Sequence, residues 1–428
     1  MLDKKGRPVV VVTGIGIVTS LGTGKKDNWR ALTAGETKVA EITRFSTQGL
    51  RTRIAATVDC GDRHAYSSPG HTLAMAVTST TEAISQSGIS STGTSGAARF
   101  PGPMFVATSP TEIEWPHRLT LYNEVTQSDE TGYDRLMAAA KARPHHKLHA
   151  LFQFGYVADV LANRFGTSGQ PISLTTACAS GATAIQLAVE AIRRGQTDAA
   201  LAIGTDGSVH PEALVRFSLL SALSTQNDLP ERAEKPFSKD RGGFVMGEGA
   251  ATLVLESYEG AKARGAQILG VVRGCGERAD VFHRTRSSPD GSAVIDTLQN
   301  ALSDADITAG DVDYINAHGT GTPENDKMES ASLTAVFGDR MAEVPISSNK
   351  SEIGHTLTAA GAVEAVFSLL TVASGTLPPT INYDVPDPEI PLDVVPNVKR
   401  DLAVQTVLSN SFGFGGQNVC LVLSGEPA

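Results

Sequence analysis

The chain has 428 residues, of which 41% are hydrophobic and 19% are charged, so it can bury a large core and is not globally disordered. Its net charge of −10 disfavours a nucleic-acid-binding protein. The four cysteines are scattered without a C-x-x-C pair, which excludes a disulfide scaffold and makes a reducing cytoplasm the expected setting.

The N-terminal region is predicted to be a buried strand and not a secretion signal. Residues 9–12 are four valines, and the apolar run that continues to residue 21 contains Gly14 and Gly16 and precedes no A-x-A cleavage site. No run approaches about 18 uninterrupted apolar residues, so no membrane-spanning helix is expected.

Predicted strands and helices alternate along the rest of the chain. In the first half, strands are predicted at 104–107, 172–174, 199–203 and 249–255, and helices at 73–87, 133–142, 151–165, 180–194 and 258–264. In the second half, strands are predicted at 268–273, 312–317, 344–347, 407–409 and 419–423, and helices at 292–305, 329–337 and 359–373. This alternation predicts an α/β fold with two-sided sheets. The similar rhythm of the halves indicates a duplication with its break near 257–265, and the proline-rich stretch at 377–396 is predicted to be an extended surface segment.

One cysteine occupies a position suited to a nucleophile. Cys178 lies in the turn between a predicted strand and a predicted helix, among small residues that would let a substrate approach. A helix N-terminus stabilises a thiolate, so this position predicts a thiol pKa below the free value of about 8.5. A buried structural cysteine is the alternative reading, and it is the default for Cys60, Cys275 and Cys420.

Two histidines follow in loops where α/β proteins commonly place their sites. His318 comes directly after a predicted strand, and His355 lies in a glycine-containing loop before a predicted helix. A lone histidine is usually structural, but two in such loops, together with a candidate thiolate, raise the expectation of catalysis.

Cys178, His318 and His355 each lie in a distinct motif, and a fourth motif follows near the C-terminus. The motifs are Thr-Ala-Cys-Ala-Ser-Gly at 176–181, His-Gly-Thr-Gly-Thr-Pro at 318–323, Lys-Ser-x-x-Gly-His at 350–355 and Asn-Ser-Phe-Gly-Phe-Gly-Gly at 410–416. Together they resemble the motifs of the β-ketoacyl-acyl carrier protein synthases, and the closest type is the elongating Cys-His-His class, often called type II. Further similarity at 11–16, 242–250 and 377–382 extends the resemblance over nearly the whole chain, in order.

The resemblance implies a thiolase-like duplicated fold with five α-β-α-β-α layers, in which residues 1–256 carry the nucleophile and residues 257–428 carry both histidines. It implies a cytoplasmic homodimer with no cofactor or metal, whose substrates are held on the phosphopantetheine of an acyl carrier protein. The implied reaction is a decarboxylating Claisen condensation. The cysteine takes an acyl chain from a carrier thioester, and malonyl-carrier protein then extends that chain by two carbons.

The resemblance also implies roles for individual residues. Cys178, His318 and His355 match the catalytic residues. Lys350 and Glu364 match a charged pair that organises His355, and Asp326 matches a structural residue. The backbone N–H groups of Cys178 and Phe414 match an oxyanion hole. The remaining matches are Thr320 and Thr322 to residues that contact the phosphopantetheine arm, Phe414 to an aromatic gate and Phe244 to an aromatic wall.

Simpler readings of several of these residues stay open. Lys350 and Glu364 could be an ordinary buried ion pair, and Thr320 and Thr322 could serve only their turn. Phe412 is predicted to belong to the core and not to the site.

Residues 108–150 depart from the family pattern, which has a glycine-rich segment after the strand that ends near residue 107. The identity of the acyl substrate is therefore the property that the resemblance predicts least well. The substrate could be a specialised acyl chain, including a very long one, or a polyketide starter. Within this segment, Arg143, His145, His146 and Lys147 form a basic-capable cluster that could attract an acidic carrier protein. A solvated loop is the alternative reading of that cluster.

Other protein classes fit the chain less well. A thiolase would need a second catalytic cysteine near the C-terminus, and Cys420 fits that position badly. Cys-His-Asn initiating synthases have an asparagine where this chain has a histidine, and the motifs around a papain-like Cys-His pair do not match. The noncatalytic chain-length subunits of polyketide synthases lack the nucleophile, which is present here as Cys178.

Overall fold

The computed structural model describes residues 1–59, 61, 66–89, 91–92, 98–124, 129–142 and 145–426. The α-helices are α1 (Lys25–Thr33), α2 (Ser68–Ser87), α3 (Trp115–Glu124), α4 (Gly132–Ala142), α5 (His146–Leu151), α6 (Tyr156–Phe165), α7 (Ser180–Arg193), α8 (Pro211–Leu219), α9 (Tyr258–Ala263), α10 (Ser292–Ala305), α11 (Pro323–Phe337), α12 (Lys350–Ile353) and α13 (Ala360–Ser374). The strands are β1 (Val10–Thr19), β2 (Gly22–Thr23), β3 (Ala40–Glu41), β4 (Ile54–Ala55), β5 (Ser91–Thr92), β6 (Ala98–Arg99), β7 (Met104–Thr108), β8 (Ile172–Leu174), β9 (Ala199–Asp206), β10 (Gly249–Ser257), β11 (Gly270–Ala279), β12 (Tyr314–Asn316), β13 (Ile346–Ser347), β14 (Thr376–Leu377), β15 (Arg400–Asp401), β16 (Thr406–Gly413) and β17 (Gln417–Ser424).

The main sheet contains the same five-strand topology twice. Its strand order is β13-β12-β16-β17-β11-β1-β10-β9-β7-β8. Counted along the chain, the five strands are β1, β7, β8, β9 and β10 in the first half and β11, β12, β13, β16 and β17 in the second. In each half the first strand lies at the centre of the sheet, and the second, third and fourth strands are parallel to one another. The fifth strand pairs antiparallel with both the fourth and the first. The halves meet where Val11 and Val12 of β1 pair with Val271 and Gly270 of β11.

Five layers follow from the way the helices pack on this sheet. Helix α2 packs on β1 and β10 at one outer face, and α10 packs on β11 and β17 at the other. Helices α7 and α13 pack against each other between the two halves of the sheet and contact strands of both halves. The largest cluster of buried apolar residues lies around this central pair. The expected α-β-α-β-α architecture is thus observed.

The first strand is longer than predicted because its glycines are part of it. β1 continues through Gly14 and Gly16 to Thr19. A Cβ atom at Gly14 would lie 2.1 Å from the carbonyl oxygen of Ala83 in α2, and one at Gly16 would lie 1.9 Å from that of Ser79. The glycines therefore let α2 pack directly on the strand.

Two other predictions need correction. The helix predicted at 151–165 is α6, but it begins five residues later than predicted, at Tyr156, and only Leu151 of the predicted range belongs to the preceding helix α5. The stretch at 377–396 is extended, but its first five residues are buried and not on the surface. Thr380 and Ile381 are hydrogen-bonded to Ser348 and Ser351, because this stretch packs under the loop that precedes His355.

One helical segment, Leu357–Ser374, is long and apolar enough to cross a membrane by length and composition. It comprises α13 and the turn before it, and 78% of it is buried inside the protein. Burial between two layers explains its composition, since a helix that is covered on all sides is apolar on all sides.

Candidate active site

The backbone turn before α7 holds Cys178 at the end of the sheet. Thr176 donates its N–H to Oγ of Ser180 at 2.8 Å, and the Ser180 hydroxyl is hydrogen-bonded to the Ala177 carbonyl. Ala177 has φ of +50°, a left-handed conformation that is unusual for a residue with a side chain. This tight turn between β8 and α7 places Cys178 in the wall of a cavity, where the residue is only 9% exposed.

The two predicted histidines come to the same place from the other half of the chain. One ligand atom each of Cys178, His318 and His355 lies within 4.8 Å of the other two. His318 follows β12, and His355 is held between strand-like segments by hydrogen bonds to Val245 and Gly247. The imidazole rings meet edge to face, with their centroids 5.4 Å apart.

Hydrogen bonds fix the tautomers of both imidazoles. Nδ1 of His355 accepts the Leu357 backbone N–H at 3.2 Å, and Nδ1 of His318 lies 3.4 Å from the ammonium group of Lys350. An N–H group and an ammonium group can only donate, so each Nδ1 is an acceptor and each Nε2 carries the hydrogen. Nε2 of His355 is buried and has no partner among the described residues. The site therefore offers N–H donors to an incoming oxygen.

The same tautomers argue against a metal centre made of these three residues. A thiol and two imidazoles at this spacing form a donor set that zinc would accept. A histidine that binds a metal through Nε2 normally donates a hydrogen bond from Nδ1. Here both Nδ1 atoms accept hydrogen bonds, so the Nε2 lone pairs are not available to a metal.

The thiol pKa is not depressed as the sequence predicted. Burial raises the pKa of Cys178 to about 11, although the Phe414 N–H and the Lys350 charge act in the opposite direction. The prediction is wrong because a helix N-terminus lowers a thiol pKa less than desolvation in this cavity raises it. Burial likewise holds the pKa of both His318 and His355 well below its ordinary value, helped by the Lys350 charge.

Lys350 and Glu364 form a buried ion pair. The Lys350 ammonium also donates to the His318 carbonyl oxygen at 2.6 Å. The pair was expected to organise His355 and the local field. The hydrogen bonds of Lys350 go to His318 and to Glu364, and Lys350 acts on His355 through its charge. Burial raises the pKa of Glu364 to about 7 against the influence of Lys350.

Two carboxylates hold the loop after β12, and one of them was not foreseen. Asp326 accepts the backbone N–H groups of Phe237 and Thr320 at 2.7 and 3.1 Å. Glu329 accepts the N–H groups of His318 and Gly319 at 2.9 and 2.8 Å. The signal for Glu329 was its position three residues after Asp326, on the same face of α11.

The loop at 413–416 packs directly on the backbone of the nucleophile. A Cβ atom at Gly413 would lie 2.8 Å from the Thr176 carbonyl oxygen and 3.3 Å from the Cys178 nitrogen. The Phe414 N–H acts on the Cys178 sulfur. The two N–H groups expected to form the oxyanion hole thus belong to backbone segments in contact.

The cavity over the thiol has a volume of about 60 Å³, and all four predicted substrate-binding residues line it: Thr320, Thr322, Phe244 and Phe414. The hydroxyl oxygens of Thr320 and Thr322 are 2.9 Å apart. Phe244 packs edge to face on His355, with ring centroids 5.2 Å apart.

Two further phenylalanines line the cavity. Phe412 belongs to a buried core cluster, as predicted, and it also lines the cavity and packs on the His318 ring, with 5.7 Å between the ring centroids. Phe217, on α8, also lines the cavity and packs on Phe244. An isolated phenylalanine in an amphipathic helix carries no local signal of this position.

The described members of the basic-capable cluster, His145, His146 and Lys147, do not line the cavity. Arg143 lies outside the described residues. His145 hydrogen-bonds the Ala139 carbonyl and lies 3.7 Å from Glu124, and none of the described residues of 108–150 lines the cavity over the thiol.

Comparison with known proteins identifies the family. The model for the β-ketoacyl synthase N-terminal domain matches residues 7–261, and that for the C-terminal domain matches residues 269–384. The chain belongs to the β-ketoacyl synthase family. As a β-ketoacyl synthase it is an enzyme of the acyltransferase class, and the thiolase alternative also fails on geometry, since Cys420 is fully buried in β17.

Relatives of two kinds are similar over the full length. The 3-oxoacyl-[acyl-carrier-protein] synthase 2 of Coxiella burnetii is 37% identical over 97% of this chain and 98% of its own. The ketoacyl synthase alpha subunit of the tetracenomycin polyketide synthase of Streptomyces glaucescens is 35% identical over 97% of this chain and 96% of its own. Among solved structures, a type II polyketide ketosynthase in complex with its acyl carrier protein and bound to a hexaketide superposes with a TM-score of 0.83 at 30% identity, covering 98% of this chain and all of that one.

Proposed function

We propose that this β-ketoacyl synthase elongates acyl chains by decarboxylating Claisen condensation, with Cys178 as nucleophile and His318 and His355 as N–H donors. The observation that carries the proposal is a pair of buried imidazoles, each with its hydrogen on Nε2, that lie close to a buried thiol. Donors directed at a growing negative charge stabilise it in a dry cavity far more than in water.

In the first stage, Cys178 attacks the carbonyl carbon of an acyl thioester on the carrier. The new C–S bond forms, the bond to the carrier sulfur breaks, and the thiol proton of Cys178 ends on the departing carrier thiol. The tetrahedral oxyanion in this step is assigned to the N–H groups of Cys178 and Phe414. A thiol that is neutral in the resting enzyme suits this exchange, because one thiol replaces another.

In the second stage, malonyl-carrier protein occupies the cavity and loses CO₂. The electron pair of the broken C–C bond forms an enolate, whose oxygen accepts hydrogen bonds from His318 and His355. The carbanion carbon then attacks the Cys178 thioester and releases the thiolate. Thr320 and Thr322 are assigned to the carrier's phosphopantetheine arm, and Lys350, Glu364 and Asp326 to holding the loop of His318.

The assembly follows the same proposal. Residues 1–256 and 257–428 are assigned as two halves of one catalytic unit, because the reactive residues come from both. A homodimer is supported by β8, whose outer edge has no partner strand among the described residues and whose Ile172 is 42% exposed. The free thiols of Cys178, Cys275 and Cys420 are consistent with a cytoplasmic location.

A polyketide ketosynthase is the second candidate. It is favoured by the polyketide synthase relative, whose sequence identity of 35% is close to the 37% of the 3-oxoacyl-[acyl-carrier-protein] synthase 2. The two candidates differ in the acyl chain that Cys178 accepts. The deciding experiment is mass spectrometry of the enzyme after incubation with acyl carrier proteins loaded with saturated chains of different lengths or with β-keto chains.

The Cys178→Ala variant tests the mechanism itself. We expect it to lose acyl loading and condensation completely, while it continues to decarboxylate malonyl-carrier protein because both imidazoles remain. Condensation retained by the variant would overturn the assignment of Cys178.

A further inference from the structure

One side of the cavity mouth consists of the loop at 280–288, which is held in a defined conformation. The Asp280 carboxylate accepts the backbone N–H groups of Phe282 and Ser288 at 2.9 and 2.7 Å. The carbonyl oxygen of Arg284 accepts the Gly415 N–H at 2.7 Å, so this loop is also tied to the glycine-rich loop beside Cys178. The side chains that follow Arg284 are therefore placed at the entrance.

Arg286 is the only guanidinium or ammonium group among the described residues that line this cavity. It is exposed, and no ion pair joins it to any described residue. Thr285 and Ser287, which flank it, also line the cavity and add two hydroxyl groups.

The one carboxylate that lines the same cavity has a different role. Glu324 lies in the first turn of α11, after the N-cap residue Thr322 and Pro323. A carboxylate there interacts with the positive end of the helix dipole. Arg286 has no ion-pair partner among the described residues, so its positive charge is available to a ligand at the mouth.

We propose that Arg286, with the hydroxyl groups of Thr285 and Ser287, binds the phosphate of the carrier's phosphopantetheine arm; the inference rests on the proposed function. The arm carries its thioester at one end and a phosphodiester at the other. Cys178, Thr320, Thr322 and Arg286 all line the same cavity, so an arm whose thioester lies at Cys178 has its phosphate end on the side of the mouth. A guanidinium group binds a phosphate through two parallel hydrogen bonds, and hydroxyl groups complete the contacts.

The test compares two small donors that differ only in the phosphate, an acyl-pantetheine and the matching acyl-4′-phosphopantetheine. We expect the wild-type enzyme to be acylated at Cys178 about tenfold more efficiently, in kcat/KM, by the phosphorylated donor. In Arg286→Ala this ratio is expected to fall to about one, and in Arg286→Lys to an intermediate value. Raising the ionic strength is expected to reduce the wild-type ratio, since the contact is exposed.

Arg284→Ala is the matched control, because Arg284 lies on the same loop and is exposed but does not line the cavity. Its ratio is expected to equal that of the wild type. Equal efficiencies for the two donors in the wild type, or an undiminished ratio in Arg286→Ala, would overturn the inference while acylation itself would still support the proposed function. If neither these donors nor an acyl carrier protein acylates Cys178, the proposed function fails instead.

Discussion

His318 and His355 both carry their hydrogen on Nε2 because of the group that their Nδ1 atom contacts. Nδ1 of His355 accepts a backbone N–H, whereas Nδ1 of His318 faces the Lys350 ammonium. The first contact is built into the local backbone, but the second depends on one side chain. Loss of that side chain would let His318 adopt the other tautomer, with an Nε2 that accepts and no longer donates.

Lys350→Met is therefore expected to lower the rate of malonyl-carrier decarboxylation by about a hundredfold, the usual size of a positioned proton donor's effect. The rate is best measured in the Cys178→Ala background, where no condensation follows. Lys350→Arg, which keeps a donor, is expected to retain more of the rate. An unchanged rate in Lys350→Met would contradict the tautomer assignment. Because burial raises the pKa of Glu364 to about 7, this carboxyl group can be neutral when its partner is removed.

Alkylation of Cys178 should depend steeply on pH. With a pKa of about 11, the thiolate fraction rises about tenfold with each pH unit up to that value. Iodoacetamide labelling measured by mass spectrometry at several pH values from 7 to 10 should show this slope. Cys275, whose pKa burial raises to about 12, is the internal control and should react more slowly. A labelling rate that already levels off below pH 8 would show a depressed pKa instead.

Helices α7 and α13 carry the two halves of the site into contact. At their crossing, a Cβ atom at Gly361 would lie 2.5 Å from the Ala182 nitrogen, and one at Gly181 would lie 2.5 Å from the Ala362 nitrogen. Backbone thus packs on backbone without side chains between them. The spacing of Cys178, which precedes α7, and His355, which precedes α13, depends on this close approach.

Gly361→Ala is expected to destabilise the protein by about 1–3 kcal/mol, because the added methyl group overlaps backbone that cannot move aside. Urea unfolding followed by circular dichroism measures the change. Gly155→Ala is the matched control, since its Cβ atom would make only ordinary contact, 3.5 Å from an Asp159 oxygen. If the two variants unfold at the same urea concentration, the helices are not packed this closely.

At the scale of the whole molecule, one carboxylate links the two halves. Asp304 belongs to the second half and contacts Arg7 and Arg193 of the first half. Its carboxylate accepts from these guanidinium groups at 2.6 and 2.7 Å and from the Cys275 N–H at 3.0 Å. Burial alone would raise the pKa of Asp304, but these hydrogen bonds outweigh it and lower the pKa. The ionised form is therefore part of the contact between the halves.

Asp304→Asn is expected to lower the free energy of unfolding by about 1–3 kcal/mol at pH 7. Because the folded pKa is depressed, this contribution is present above the ordinary value of 3.8 and is lost as the pH falls below it. The difference between wild type and variant should therefore shrink in acid. Asp306→Asn, which removes an exposed pair with Lys4, is the control and should change stability far less than Asp304→Asn does. A difference for Asp304→Asn that does not vary with pH would contradict the argument.

Much of the fold and the grouping of the candidate site residues in one cavity could be predicted from the sequence, because the signals are local. The alternation of apolar segments determined the α/β class, and a run such as 292–305 is the helix α10 as predicted. The turn residues around Cys178, His318 and His355 marked the site, since each motif serves one short loop. No pattern predicted the short helix α8. The helix predicted at 151–165 starts five residues before α6, because the apolar side chains of residues 151–154 fit a helical pattern although the chain is not helical at 152–155.

Only the tertiary structure decided how the reactive groups behave. The raised pKa of Cys178, the contact of Lys350 with His318 and not His355, and the place of Phe412 and Phe217 in the cavity all arise between segments far apart in the chain. Desolvation and hydrogen-bond geometry are properties of the folded surroundings, and no single segment contains them. The sequence by itself determined which residues are candidates for the reaction, and the packing of the two halves determined the protonation and the surroundings of those residues.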